Sequence, residues 1–243
     1  MARLLITLFS LLPLACYAQS DIPYYLQFSG NLLINVPVEG FSRVQDGVSV
    51  GGGGAFIFQG KRGKPLFFGL EAAGGRFETE SIKFTTTQNG FAEDFRERTS
   101  THLLQAHVLA RFKPFTGFFL QPYADGLLGG KWLYARTVFS QEFDEDEVEV
   151  IERYTEISDN TLSVGAGAGV QVRLSAAPDL LLDFRCVYLY GGSARYWARD
   201  PDAPDPLEFS AEAFEPRISP TSTLSFQLGL TLQISLKEFH GLE

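Results

Sequence analysis

The chain has 243 residues, 45% of them hydrophobic, with a mean hydropathy of +0.01. Its 20 basic residues against 29 acidic ones give a formal charge of −9, which argues against nucleic acid as a partner. No run of about 18 apolar residues occurs after the N-terminal stretch, which excludes a membrane-spanning helix and leaves strands as the only spanning element.

The first residues, MARLLITLFSLLPLACYAQ, place Arg3 before an apolar stretch from Leu4 to Leu14 that is too short to span a bilayer. Small residues follow, so residues 1–18 are expected to be a secretory signal peptide, with residues 19–243 forming one barrel domain. A lipoprotein cut before Cys16 is the alternative, and Pro13 fits it poorly. Loss of Arg3 with the leader leaves 19 basic residues against 29, a charge of −10. Cys186 would then be the single cysteine, so no intramolecular disulfide is expected.

Beyond the leader, eight segments alternate apolar and polar residues: 24–36, 48–60, 65–85, 99–113, 118–140, 158–175, 180–198 and 222–236. The last is the most regular. Leu224, Phe226, Leu228, Leu230, Leu232, Ile234 and Leu236 share one face, and Ser225, Gln227, Gly229, Thr231, Gln233 and Ser235 the other. Period two over that length is a β-strand. Three connections are short: Lys61–Lys64, Lys113–Gly117 and Ser175–Asp179. The others, at 37–47, 86–98, about 141–157 and about 199–221, are longer and more polar, and the last three are expected to be mobile loops in which Pro and Asp break strand pairing. Short and long connections alternate strictly, as in an up-and-down barrel with turns at one rim and loops at the other.

Aromatic residues sort by strand end. Tyr24, Phe58, Phe68, Phe112 and Phe118 fall near the short turns, and Trp132, Tyr134, Tyr188, Tyr190 and Tyr196 near the long loops. Two such bands read as interfacial girdles. A soluble lipocalin-like barrel would turn its apolar faces inward, but eight strands this long would then have to enclose a large cavity. The expected fold class is therefore all-β, an eight-stranded antiparallel up-and-down transmembrane β-barrel with its apolar faces toward lipid.

The stretches LQPYADGLLGGKW (Leu120–Trp132) and LSVGAGAGVQVRLSAAPDLLLDFRCVYLYGG (Leu162–Gly192) resemble the small outer-membrane β-barrel family related to OmpA and OmpX. That resemblance implies the fold and the outer membrane of a Gram-negative-type bacterium, and no reaction. Many members end on an aromatic residue, whereas this chain runs on through KEFHGLE, with Phe239 four residues from the end.

With apolar residues outside, Glu71, Arg111, Asp125, Lys131, Arg173, Asp183 and Arg185 point into the lumen, with Gln27, Asn31, Gln105, His107, Gln121, Gln171 and Gln233. They are expected to form a salt-bridge network filling a narrow interior, or else to line a gated ion path. Arg173 and Asp183 are diagonal neighbours across the Ser175–Asp179 turn, and are expected to pair.

EFDEDEVEVIE (Glu142–Glu152) carries seven carboxylates, with Asp144, Glu145, Asp146 and Glu147 as weak candidates for a divalent cation. A solvated acidic loop is the simpler expectation. Catalysis has little support. The chain has only His102, His107 and His240; His107 is expected to face inward opposite Tyr123, and His102 to lie on the lipid face near the rim. GGGG at 51–54 lies within a strand and is no phosphate loop. The sequence thus predicts a monomeric, non-enzymatic envelope protein without a cofactor. Its partners would be outer-membrane lipid and, at the loops, a surface ligand or a divalent cation. A narrow solute channel is the alternative, and a lipid A-modifying enzyme a more distant one.

Overall fold

The alternating segments pair edge to edge until no edge remains. The computed structural model describes residues 24–43, 45, 47–61, 63–88, 91–144, 147–199 and 214–235. The expected signal peptide at 1–18 lies outside them, as do Glu145, Asp146, Phe239 and His240. In chain order the strands are β1 (Tyr25–Pro37), β2 (Ser49–Gln59), β3 (Leu66–Gln88), β4 (Phe91–Phe112), β5 (Leu120–Asp144), β6 (Glu147–Ala176), β7 (Asp179–Gly191), β8 (Ser193–Arg199), β9 (Phe214–Pro220) and β10 (Thr223–Ser235). Strands β1 to β7 and β10 form a closed antiparallel barrel, with β10 lying between β7 and β1. Closure satisfies every strand edge of the wall, which lipid cannot do.

Parity decides the two faces. In β10, Ser225, Gln227, Thr231 and Gln233 are buried inside while Phe226, Leu228, Leu230 and Leu232 are exposed outside. The same pattern exposes Leu32, Leu70, Val108, Leu128, Leu162 and Phe184 around the wall. A belt of this extent is stable only against an apolar medium. Phe58, Phe68, Phe112 and Phe118 are exposed near the short turns, and Trp132, Tyr188 and Tyr190 toward the other rim. Tyr196 is not in the barrel wall, because the chain leaves it at Gly192.

Two of the short connections are turns that need glycine. Gly63 and Gly117 take φ values of 69° and 87°, in the left-handed region that disfavours other residues. Gly60 N–H donates to Leu66 O and closes the first of these turns at 2.9 Å.

The other rim differs from the expected loops. Segments 86–98 and 141–157 are largely strand: β3 pairs with β4 as far as Gln88 and Phe91, and β5 with β6 as far as Asp144 and Glu147. β4 also pairs with β5 up to Asp94 and Glu142. Beyond the last rungs to β2 (Val50 with Arg76) and to β7 (Gly191 with Ser163), these four strands continue as an antiparallel sheet, a fin standing on the barrel. β5 has 25 residues and β6 has 30, well over the about 9–11 that cross a bilayer. The fin sequences carry polar residues at positions of both parities, so the apolar alternation that marks the wall is absent from them. Segment 199–221 is also partly strand, since β9 pairs with β8, Pro216 opposite Trp197. A two-stranded sheet leaves each strand one unpaired edge, where proline loses no ladder bond.

Trimming the fin should leave the barrel intact. Deleting 80–98 and 138–153, which rejoins residues close to pairing register, should give a protein that still migrates faster on SDS gels before boiling than after. Loss of that heat-dependent shift would show that the fin is needed to close the barrel.

Candidate functional site

The lumen holds a dense set of charges. Arg111 and Asp125 pair in a two-pronged bridge, Nε to Oδ1 at 2.8 Å and Nη2 to Oδ2 at 2.9 Å. Arg185 lies 2.7 Å from the same carboxylate and 2.6 Å from Glu71 Oε2, and also donates to Gln227 Oε1 at 3.1 Å. β3 and β7 stand on opposite sides of the barrel, so the Arg185–Glu71 bridge spans the lumen. Tyr123 lies under the Arg111 guanidinium, 3.7 Å from ring centre to Cζ, and its hydroxyl donates to Asp183 Oδ1 at 2.6 Å. Asp183 also accepts from Gln171 Nε2 at 2.8 Å and sits 3.9 Å from Arg111. Gln171 in turn accepts from Lys113 Nζ at 2.6 Å. Two guanidiniums (Arg111 and Arg185) thus meet three carboxylates (Glu71, Asp125, Asp183), and Lys113 joins them through Gln171.

Glycines make these reaches possible. Gly167 and Gly169 of β6 stand between Asp125 and Tyr123 on β5 and Val187 and Arg185 on β7. A Cβ at Gly169 would fall 2.4 Å from the Tyr123 hydroxyl, so any side chain there would displace the ring. Gly129 plays the same part for His107, whose imidazole crosses it to place Nε2 3.2 Å from Ser163 Oγ on β6. His107 is therefore opposite Gly129 and not Tyr123. Its Nδ1 lies 3.5 Å from Glu71 Oε1, giving a Ser163–His107–Glu71 series inside the barrel.

Two expected partners change. Arg173 does not meet Asp183; it pairs with Asp179 at 2.8 Å at the turn-side mouth, where a bulge between Arg173 and Ser175 shifts the register. Lys131 is fully buried and takes its partners away from the carboxylates of the cluster. Its Nζ donates to Thr221 O at 2.6 Å and Thr223 Oγ1 at 3.0 Å, tying β5 to the start of β10 across the lumen. Lys113 is missing from the residues expected in the lumen, although strand parity could find it, since it continues the inward row of Arg111. Ser163 lies in the polar row of β6 that alternation turns inward.

The interior is not wholly polar. Tyr25, Ile57, Phe67, Leu109, Leu127, Val187 and Leu189 pack inside the wall. At the fin end, Phe41 from the 3₁₀ turn Phe41–Arg43 packs against Phe77, Leu103, Leu133 and Ala194, with the Phe41 and Phe77 rings 5.6 Å apart edge to face. Glu39, at φ 57°, anchors that turn by accepting from the Tyr188 hydroxyl and from Ser222 Oγ. Beside the charged cluster, a void lined by Asn31, Arg111, Asp183, Arg185 and Gln227 measures about 10 Å³, at the limit for a single water. No group of three or more metal-ligating side chains occurs among the described residues. Of the weak cation candidates, Asp144 and Glu147 are register partners at the β5–β6 tip, while Glu145 and Asp146 lie outside the described residues.

No family model and no curated protein matches the chain. Solved structures do. Neisserial surface protein A is 11% identical, covering 87% of this chain and 96% of its own, with a TM-score of 0.40. Ail, the attachment invasion locus protein of Yersinia pestis, solved in complex with the heparin analogue sucrose octasulfate, is 13% identical. It covers 88% of this chain and 100% of its own, with a TM-score of 0.44. A major outer membrane protein from Thermus thermophilus is 15% identical, covering 86% and 99%, also with a TM-score of 0.44.

Burial should set the energetics of these pairs. Asp125→Ala leaves two buried guanidiniums short of a partner, and should lower the urea unfolding free energy of the detergent-folded barrel by about 3–5 kcal/mol. Asp179→Ala, whose pair is partly exposed at the mouth, should cost about 1 kcal/mol or less. A double-mutant cycle on Arg173 and Asp183 should be additive within about 0.5 kcal/mol. A larger coupling there would contradict the pairing of Arg173 with Asp179.

Proposed function

We propose that this protein is an integral outer-membrane barrel whose closed lumen serves as a structural core, and whose work is done by the fin it raises above the membrane. The observation that carries this reading is the filled lumen. A cluster of paired guanidiniums and carboxylates occupies its middle, Lys131 bridges it above, and Phe41 closes the mouth. A hydrated ion crossing this interior would have to break the buried pairs along its path. The apolar belt supports insertion in a bilayer, and strands standing well beyond bilayer thickness support a surface role. The fin offers strand edges and a charged sequence, which suit contact with another macromolecule or with the membrane surface more than capture of a small solute.

The channel reading predicts a continuous polar path, and the void beside the cluster is too small for one. The enzyme reading has its best candidate in Ser163, His107 and Glu71, at distances suited to a hydroxyl, a base and an orienting acid. Ser163 and His107 are nearly inaccessible, however, and face the sealed interior. A substrate carbonyl has no route to the hydroxyl.

Two measurements test the proposal. Pure protein in a planar bilayer should give no single-channel steps under applied voltage, and steady steps would overturn the closed-lumen reading. A fluorophosphonate probe, which labels activated serines, should leave the folded protein unmodified; stoichiometric labelling lost on Ser163→Ala would make the enzyme reading the better one.

A further inference from the structure

The outer surface of the wall changes character sharply along one sector. On β4 the outward residues run Val108, Ala106, Leu104, His102, Ser100, Arg98; on β5 they run Leu128, Gly130, Trp132, Tyr134, Arg136. β3 runs Leu70, Ala72, Gly74, Arg76 in the same direction. Register aligns these ladders. Arg76 is opposite His102, which is opposite Tyr134; Ser100 is opposite Arg136; and Arg98 is opposite Val138, diagonal to Arg136. The order is therefore aliphatic, then aromatic, then arginine. His102 and Tyr134 stack at 4.9 Å with rings nearly parallel, and Arg76 and Arg136 flank the histidine.

We infer that Arg76, Arg98 and Arg136, above the Trp132–Tyr134 girdle, form a binding site for a phosphate-bearing lipid headgroup of the surrounding leaflet. This rests on the membrane reading above.

Three observations converge on it. First, all three arginines are exposed and group together in a protein with nine more acidic than basic residues. Arg98 and Arg136 are diagonal neighbours of like charge and repel one another, Arg76 adds a third positive charge one strand further along the same face, and an anion bound among them would relieve that repulsion. Guanidiniums in a row suit phosphate oxygens, which accept two-pronged hydrogen bonds. Second, their height is that of headgroups: they begin where the aromatic residues end, and aromatic girdles mark the bilayer interface. Third, the wall directly below offers room for the rest of a lipid. A shallow outward groove of about 520 Å³ is lined by Gly54, Phe56, Leu70, Ala72, Ala106 and Val108. Small residues on three neighbouring strands set it back between larger ones, leaving space for an acyl chain. The far side of the barrel is built differently. There Glu39 holds the Tyr188 hydroxyl at the rim, so the rim carries an acid where the sector above Trp132 carries arginines.

The test uses Trp132 as reporter, in a Trp197→Phe background that removes the other tryptophan. The folded protein is placed in phosphatidylcholine vesicles in which a minor fraction carries brominated chains, either as phosphatidic acid or as diacylglycerol. Brominated phosphatidic acid should quench Trp132 with an apparent affinity at least about tenfold above brominated diacylglycerol, since each juxtamembrane arginine adds about 1 kcal/mol of attraction to an anionic headgroup. Replacing the three together (Arg76→Gln, Arg98→Gln, Arg136→Gln) should abolish that preference, and Arg43→Gln should leave it. If the triple variant does not fold, the intact protein decides by salt: the preference should fall between about 0.05 M and about 0.5 M salt, as exposed charges are screened. Equal quenching by the two lipids, or a preference insensitive to salt and to the arginines, would overturn the headgroup site alone. Suppression of the preference by dissolved inorganic phosphate would assign the arginines to free anions and overturn the lipid proposal. Absence of quenching by either lipid would overturn the membrane reading, and this site with it.

Discussion

Closure of eight strands in a medium that cannot hydrogen-bond backbone is the constraint from which the rest follows. Each wall strand must pair on both sides, so β1 meets β10 and no edge remains. A barrel of eight strands has an interior only wide enough for side chains. Every inward residue must then fit beside its neighbours and satisfy its charge there. The cluster of paired guanidiniums and carboxylates around Asp125 meets that demand. Its geometry depends as much on what is missing as on what is present, because Gly129, Gly167 and Gly169 vacate the rows that His107, Tyr123 and Arg185 must cross.

Which side each residue faces is legible in the sequence, because side-chain direction in a strand has a period of two and any long alternating run reveals it. Glu71, Arg111, Asp125, Lys131, Asp183 and Arg185 can therefore be placed inside from sequence. Their partners cannot. Arg185 and Glu71 are 114 residues apart and meet across the barrel axis, and nothing local in either strand encodes that distance. Arg173 shows a second limit. Simple diagonal counting pairs it with Asp183, but one bulge after Arg173 delivers it to Asp179. Lys131 shows a third, since its acceptors are two backbone carbonyls and a hydroxyl, groups that charge pattern does not reveal.

The fin is hidden from sequence reading for a physical reason. Apolar alternation is a signal of one buried face, and the fin sequences, with polar residues at positions of both parities, carry no such signal. What holds 79–88, 91–101, 134–144 and 147–162 together is the ladder of backbone bonds, seeded from the wall where β3 to β6 are already paired. Extending a sheet from a fixed base avoids the entropic cost of first bringing strands together. Polar strands too weak to assemble alone can therefore continue upward once the barrel has closed. The Thr85–Thr87 run and the absence of proline from these segments are consistent with that outcome.

A standing sheet carries a hazard that the barrel itself has removed. Above the last rungs to β2 and β7, β3 and β6 each pair on one side only among the described residues. β8 lies beside the lower part of the β6 edge, where Arg195 N–H donates to Asp159 Oδ2, and the rest of these outer edges offers backbone groups to any strand that approaches, including the same edge of another copy. Charge on an edge strand opposes such pairing, because two copies meeting there would bring like charges together. The upper part of β6 carries Glu147, Glu149, Glu152 and Glu156, and the tip of β5 adds Glu142 and Asp144. The acidic run, expected as a solvated loop with a weak cation site, thus gives Glu147 to Glu152 to the edge strand β6, where carboxylates of like charge oppose edge-to-edge association. Neutralising them is the condition under which two such edges would join.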